Sequence, residues 1–337
     1  MIEAVFGRLG AMKSGLLSKE NFDALLHAGS VEEAVEALRS TTYASALGRL
    51  DQPTPVEIER AMWGEVIAAW RRLTKFLDGA PLGCARMIAG AFEVANVRLT
   101  VRRILAALPP GEGVSLWDLG RQATVDVSAL RAARTVEDVA GLLKKTPFRS
   151  VFERAVGRSG LTEGREWTAD VLAEFEQALD VNYRRALLET AAEVGGATRA
   201  YVRRRELYDD VRWALRLRFA RGLSAEETKS RLAAADAAPR VLERVLAAAS
   251  LEDAAGEVAP LIGGEAREKT LPALDRALRL ARARAARRAL GANFFDFASI
   301  PAYFDVRAQE VRDVMAALTA RALGRTPEDA ARYLAAA

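Results

Sequence analysis

Few residues in this chain of 337 are spaced for chemistry. His27 is the single histidine and Cys84 the single cysteine. A Cys/His zinc site therefore lacks ligands, and a Cys–His nucleophile would need those two residues themselves. His27 has Ala132 as its counterpart in a second copy of the surrounding segment, which favours an incidental role. Asp209-Asp210 is similar to the Asp-rich metal motif of helical isoprenoid enzymes, but no carboxylate follows one turn on and Arg212 stands close behind. No G-x-x-x-x-G-K-[ST] segment offers a phosphate cradle. These residues give no reason to expect an enzyme, a metal or a cofactor. What recurs is arginine. Arg98, Arg212 and Arg312 each stand beside a valine in similar segments, and Arg102 and Arg216 follow one turn on, where the third segment has Ala316. Cations repeated at one register could meet acidic groups of a partner. The competing reading is a solvated helix face or a salt bridge inside the repeat.

The elements carrying these residues come in copies. ALLHAGSVEEAVEALRSTTY from Ala24 returns, without a gap, as ALRAARTVEDVAGLLKKTPF from Ala129, and more faintly as VLAAASLEDAAGEV from Val245. A second motif follows each: NVRLTVRRIL from Asn96, DVRWALRLRF from Asp210 and EVRDVMAALT from Glu310. Two motifs in a fixed order point to tandem duplication, with copies over residues 1–112, 113–229 and 230–337. The long period argues against a solenoid, whose units run to about 20–50 residues.

Both motifs read as helix. Ser30, Thr135 and Ser250 are placed to cap helix starts, with Glu33, Asp138 and Asp253 three residues on, where a carboxylate favours the positive helix end. In the first two copies the helix then meets a break ending in Tyr43 or Phe148; the third has Pro260 and Gly263-Gly264 instead, so a differently shaped end is expected. Val97, Val101, Ile104, Leu105 and Leu108 form an apolar helical stripe, as do Val211, Leu215 and Phe219, and Val311, Met315, Leu318 and Ala322. Ser224 with Glu227, Thr54-Pro55 with Glu57, and Thr326-Pro327 with Asp329 predict further helix starts. Ala, Leu, Arg and Glu dominate and no β alternation is present, so the chain is expected to be all-α with some fifteen or more helices.

Composition narrows the class. Half the residues are apolar and 28% are charged, enough for a sizeable core. The net charge of +4 is modest for this length, and an arginine-rich solvated surface explains it better than a nucleic-acid footprint. Arg276, Arg279, Arg282, Arg284, Arg287 and Arg288 crowd one predicted helix but spread around most of it, leaving a narrow Leu/Ala edge. A peripheral helix with one packed edge fits better than a membrane-surface or groove-reading helix, and docking of an acidic partner stays open. The longest run without Asp, Glu, Lys or Arg is Ser40–Gly48, far short of the roughly 20 residues a spanning helix needs. One cysteine and the lack of a signal-peptide pattern predict a cytoplasmic protein.

The motifs resemble those of a family. Arg8, Leu16-Leu17, Phe22, Leu25-Leu26, SVEEAVEAL and Thr41-Thr42-Tyr43-Ala44 look like the opening of the C subunit of the A/V-type ATP synthases, the counterpart of the d subunit of vacuolar proton pumps. Phe92-Glu93 with Asn96-Val97 and Arg102 resembles that family's acidic-then-Asn segment. Tyr303-Phe304, Arg307, Glu310-Val311-Arg312, Gly324 and Pro327 to Leu334 resemble its C-terminal helices. The middle third matches mainly through the internal repeat. The resemblance implies an all-α funnel of three related sub-domains around a pseudo-threefold axis. It implies a non-catalytic central-stalk rotor component, on the cytoplasmic face of the membrane, that couples the central shaft to the proteolipid ring and transmits torque. No cofactor, nucleic acid or membrane span is implied, and the chain would be a monomer within the larger complex. Arg98, Arg102, Arg212, Arg216 and Arg312 are the candidate contacts to shaft or ring. An all-helical scaffold or a nucleic-acid-binding protein is the alternative.

Overall fold

The computed structural model describes residues 2–335 except 52, 114, 162–165, 234–238, 265, 267, 293–295 and 333. Every regular element among them is helical. In chain order the α-helices are α1 (Ile2–Lys13), α2 (Lys19–His27), α3 (Val31–Arg39), α4 (Ala44–Leu47), α5 (Pro55–Thr74), α6 (Gly79–Leu105), α7 (Val127–Ala132), α8 (Val136–Leu143) and α9 (Phe148–Arg158). Then come α10 (Ala169–Val194), α11 (Gly196–Leu215), α12 (Ala225–Lys229), α13 (Arg240–Ala247), α14 (Leu251–Ile262), α15 (Leu271–Ala292), α16 (Ser299–Ala322) and α17 (Pro327–Ala331). Two compact units result, one of Met1–Leu77 with Ala259–Ala337 and the other of Asp78–Val258. Tyr333, within the resembling C-terminal stretch, lies outside the described residues.

The capping chemistry read from the sequence is present at all three first motifs. The backbone N–H groups of Glu33, Asp138 and Asp253 each donate to the hydroxyl of Ser30, Thr135 or Ser250 at 3.1 Å. Each cap offsets one orphan donor of the first turn and contributes about 1 kcal/mol. The short helix before each cap ends the same way, on Ala28, Ala133 or Ala248, with φ near −55° to −59° and ψ 135°. Only a small side chain suits these corners, because all three alanines are buried. Leu25, Leu130 and Val245 are buried at a common register ahead of the cap, and Leu38, Leu143 and Val258 after it. The third copy does differ at its end. Helix α14 continues through Pro260 and stops at Gly263, whose φ is +84°. Pro260 forfeits one backbone hydrogen bond there but lies near the helix end, where few bonds follow.

Each unit wraps its short helices against long ones. In the second unit α6 packs on α7, α8 and α10, α10 on α9 and α11, and α11 on α13. In the first, α16 packs on α2, α3, α5, α15 and α17. The stripes predicted from the second motif are buried in part: Val97, Val101, Val211, Leu215, Val311 and Leu318 are buried, Ile104, Leu105, Phe219 and Met315 are half-buried, and Leu108 and Ala322 are exposed. Burial of such side chains at about 25 cal/mol per Å² is the main term holding these bundles.

Candidate interaction site

The long helices carry buried polar side chains on their apolar faces, and these bind the backbone of the segment that follows. Asn96, fully buried on α6, accepts from Trp117 N–H and donates to Trp117 C=O, both at 2.7 Å. Asp210 on α11 accepts from Ala233 N–H at 3.2 Å, and Asp313 on α16 from Ala335 N–H at 3.0 Å. Both aspartates are buried. Each satisfied backbone group stands ten or eleven residues beyond a left-handed residue that closes the long helix: Ala107 (φ 52°), Gly222 (φ 69°) or Gly324 (φ 65°). Asn96, Asp210 and Asp313 therefore do one job in three copies.

This alignment shifts the third copy. Sequence similarity put Glu310 and Arg312 level with Asn96 and Arg98, whereas the hydrogen bonds and helix ends put Asp313 there, three residues later. Met315 then stands where Arg98 and Arg212 stand, and Thr319 where Arg102 and Arg216 stand; burial follows the same register. The similarity of Glu310-Val311-Arg312 to Asp210-Val211-Arg212 drew the sequence reading one turn too early.

A second clamp lies one turn before the first. Glu93 accepts from the N–H groups of Thr124 and Val125 at 2.5 and 2.8 Å, and Glu310 accepts from Leu17 N–H at 2.6 Å. Val125 and Leu17 each precede the N-cap residue of a short helix, Asp126 of α7 or Ser18 of α2. Burial pushes both carboxyls upward, Glu310 to about 7, while the donated hydrogen bonds oppose it. Arg307 donates to Glu310 at 2.9 Å and stacks 4.5 Å from the Tyr43 ring centroid; the Tyr43 hydroxyl also reaches Glu310, at 3.3 Å.

A third clamp uses arginine. Buried Arg103 donates to the carbonyls of Ala133 and Leu108, and Arg218 to those of Ala248 (3.3 Å) and Leu223 (2.8 Å). Ala133 and Ala248 are the corner residues described above. Asn96 and Arg103 are seven residues apart, Asp210 and Arg218 eight. The extra residue is absorbed by a π-turn over Arg216–Ala220 that continues α11, so both ends of the helix stay in register.

The five sequence-predicted arginines fall into two groups. Arg98 pairs with Asp180, and Arg102 grips Glu176 through two nitrogens, both partners lying on α10. These are ion pairs that tie α6 to α10. Arg98, Asp180 and Glu176 line a groove of about 620 Å³ that also takes in Asp209 and half-exposed Trp213. Arg212 pairs with Asp209 one turn back, at 3.3 Å. Arg216 and Arg312 are exposed. The structure thus places Arg98, Arg102, Arg212 and Arg216 in the second unit and Arg312 in the first.

Other candidates resolve into structural roles. Asp210 is bound by Arg184 at 2.8 Å, and Arg184 also holds Glu206. Burial alone would lower Arg184, but Glu206, Asp210 and Asp209 outweigh it and keep the guanidinium charged. Among the described residues no three His, Cys, Asp or Glu side chains gather to hold a metal. His27 is exposed, with Nδ1 2.8 Å from the Asp23 carbonyl. Cys84 is buried, and burial pushes its thiol up to about 12, far from a reactive thiolate. On α15, Arg279 pairs with Asp275, Arg282 with Asp305 of α16, and Arg284 donates to the Ile262 carbonyl at the end of α14. Much of that basic helix is therefore a packed staple. Sequence reasoning missed the buried clamps, although a polar residue flanked by valines on an apolar stripe, as at Val94-Ala95-Asn96-Val97, was the signal available.

The arrangement is a set of recurring structural clamps on an all-helical chain, and comparison with known proteins gives its family. The family model described as ATP synthase (C/AC39) subunit matches residues 5–333. The chain belongs to this family. Among its relatives are the A-type ATP synthase C subunit of Desulfurococcus sp. (strain SY), 26% identical over 147 residues, and that of Thermococcus kodakarensis, 24% identical over 149 residues. Each match covers 44% of this chain and 40% of the relative. Family membership extends over nearly the whole chain, while the pairwise likeness spans less than half of it. No helix among the described residues of this C/AC39-family chain is long and apolar enough to cross a membrane.

Proposed function

We propose that this chain is the non-catalytic central-stalk component of an A/V-type proton-translocating ATP synthase or ATPase, a socket that joins the central shaft to the membrane rotor ring and passes torque between them. The family match over residues 5–333 carries this reading. In it, copies over 1–112, 113–229 and 230–337 surround a pseudo-threefold axis as a funnel at the cytoplasmic face of the membrane. The order of the clamps supports such closure. Helix α6 holds the opening of the second copy, α11 that of the third, and α16, near the chain's end, holds Leu17 and Tyr43 near its beginning. Torque transfer calls for stiffness, and dense helix packing supplies it.

Arg98, Arg102, Arg212, Arg216 and Arg312 remain the proposed contacts to acidic groups of the shaft or ring. Reversing Arg98 or Arg102 would also break an ion pair to α10, so the test changes the exposed Arg216 and Arg312 together, as Arg216→Glu with Arg312→Glu. The test is co-purification with the shaft and ring proteins of the host complex. Recovery of the wild-type chain with both, and reduced recovery of the double variant at unchanged melting temperature, is expected. A wild-type chain that never travels with either of them would end the proposal.

A further inference from the structure

A cluster of guanidinium groups in the second unit has no part in the clamps between copies described above. Arg158, at the end of α9, donates to the Ser230 hydroxyl at 3.1 Å. Arg231 donates to the Gln177 amide oxygen of α10 at 3.1 Å. Arg185, also on α10, donates to the carbonyls of Leu232 and Ala233 at 3.2 and 3.4 Å. Two guanidiniums thus bind the turn of residues 230–233, and a third, Arg231, belongs to it. Among the described residues none of the three meets a carboxylate within ion-pair distance, unlike Arg98, Arg102 and Arg184 in the same unit. Their acceptors are neutral and occupy only part of each five-donor fork.

The cluster opens on a cleft of about 190 Å³ lined by Arg158, Arg231, Ser230, Gln177, Glu174 and Glu227. Glu227 is committed to its own helix start, where it accepts from the Ser224 N–H and hydroxyl at 2.8 and 2.6 Å. Burial, and then the charges of Arg185 and Arg231, hold the Arg158 guanidinium below its ordinary value, while Arg231, after the Ser224 hydrogen bonds, also helps to hold the Glu227 carboxyl below its own. The Ser230 hydroxyl already donates to the Glu227 carbonyl at 2.8 Å, so a tetrahedral oxyanion would accept from the open sides of the forks, and arginine is the side chain best shaped for it.

We propose that the cleft between Arg158, Ser230 and Arg231 binds a free phosphate-class oxyanion, independently of the coupling role above. Calorimetric titration of the full chain with inorganic phosphate, against chloride at constant ionic strength, tests it. One saturable site per chain is expected. Arg158→Gln and Arg231→Gln should each weaken it at least tenfold, while Arg288→Gln on α15 leaves it unchanged. Glu174→Gln, which takes a negative charge from the wall, should tighten it several-fold, and this gain cannot come from a failure to fold. Absence of saturable binding, or binding unaffected by all of these changes, overturns the proposal.

Discussion

The two carboxylate clamps solve one structural problem with different chemistry. Glu93 on α6 and Glu310 on α16 stand at equivalent positions and hold the backbone just ahead of a short helix. Three residues earlier, α6 has Gly90 and α16 has Arg307. Across from them, 105 residues apart in the repeat, lie Phe148 and Tyr43. In the second unit the glycine lets the Phe148 ring press directly on the helix: a Cβ at Gly90 would stand 2.7 Å from Phe148 Cζ and 3.2 Å from Tyr183 Cε2. In the first unit the arginine fills that space, stacks on Tyr43 and pairs with Glu310 at 2.9 Å. One clamp is apolar and tight, the other ionic and networked. A site whose backbone role is fixed can therefore exchange shape for charge, provided both partners change together.

The largest effect that would sharpen this contrast is loss of Glu310. Glu310→Ala strands Arg307 and the Leu17 N–H in a buried setting, and a loss of about 3–5 kcal/mol in urea unfolding is expected. Glu93→Ala strands two backbone donors but no buried cation, and about 1–3 kcal/mol is expected. The conservative Glu310→Gln adds a pH reading. Because burial raises the Glu310 carboxyl from 4.5 to about 7, the folded chain holds a proton there that the unfolded chain releases. That contribution is fully present below pH 4.5 and is lost as pH rises through about 7. Wild-type stability should carry this downward slope and Glu310→Gln should lack it; equal slopes in both would contradict the buried-carboxyl account.

The next effect tests the apolar clamp. Gly90→Ala forces the Phe148 ring or α6 to move, and about 1–3 kcal/mol of destabilisation is expected. Combining it with Phe148→Leu should recover part of the loss, giving a coupling energy that the two changes at distant sites would not show. Strict additivity would mean that the ring is free to yield.

How far the sequence foretold this molecule depends on the range of the interaction. Helix starts at Ser30, Thr135, Ser250, Thr54 and Ser224 were legible because capping is settled within four residues. The recurrence of the first motif was legible because its buried positions repeat, as at Leu25, Leu130 and Val245. The third register was not: Glu310-Val311-Arg312 matches its counterparts by residue type, while the backbone group at Ala335 that donates to Asp313 carries no side-chain signature. The π-turn at Arg216–Ala220 was equally hidden, since only the fixed positions of Asp210 and Arg218 reveal an added residue. Of the candidate arginines, type and spacing were readable, but the α10 carboxylates that engage Arg98 and Arg102 lie more than 70 residues away in sequence. The polar clamps were present in the sequence as interruptions of apolar stripes, yet nothing local said what they bind.

The smallest effect concerns the ends of the long helices, where the comparison extends to three copies. Gly222 and Gly324 take the left-handed conformation at no steric cost, while Ala107 takes it with a Cβ. Ala107 nevertheless makes the same closure, because Leu108 N–H reaches the Arg103 carbonyl at 3.1 Å as Arg325 N–H reaches that of Ala320 at 2.9 Å. Arg103 then grips the Leu108 carbonyl, so the clamp that fixes the next copy also offsets the strain at Ala107. Ala107→Gly should relieve that strain against a somewhat larger unfolded-state entropy, for a net gain of up to about 1 kcal/mol read as a higher melting temperature. In an Arg103→Met background the wild-type alanine should be harder to hold, so the same substitution should gain more. A gain that is equal in both backgrounds would show that the arginine and the cap act separately.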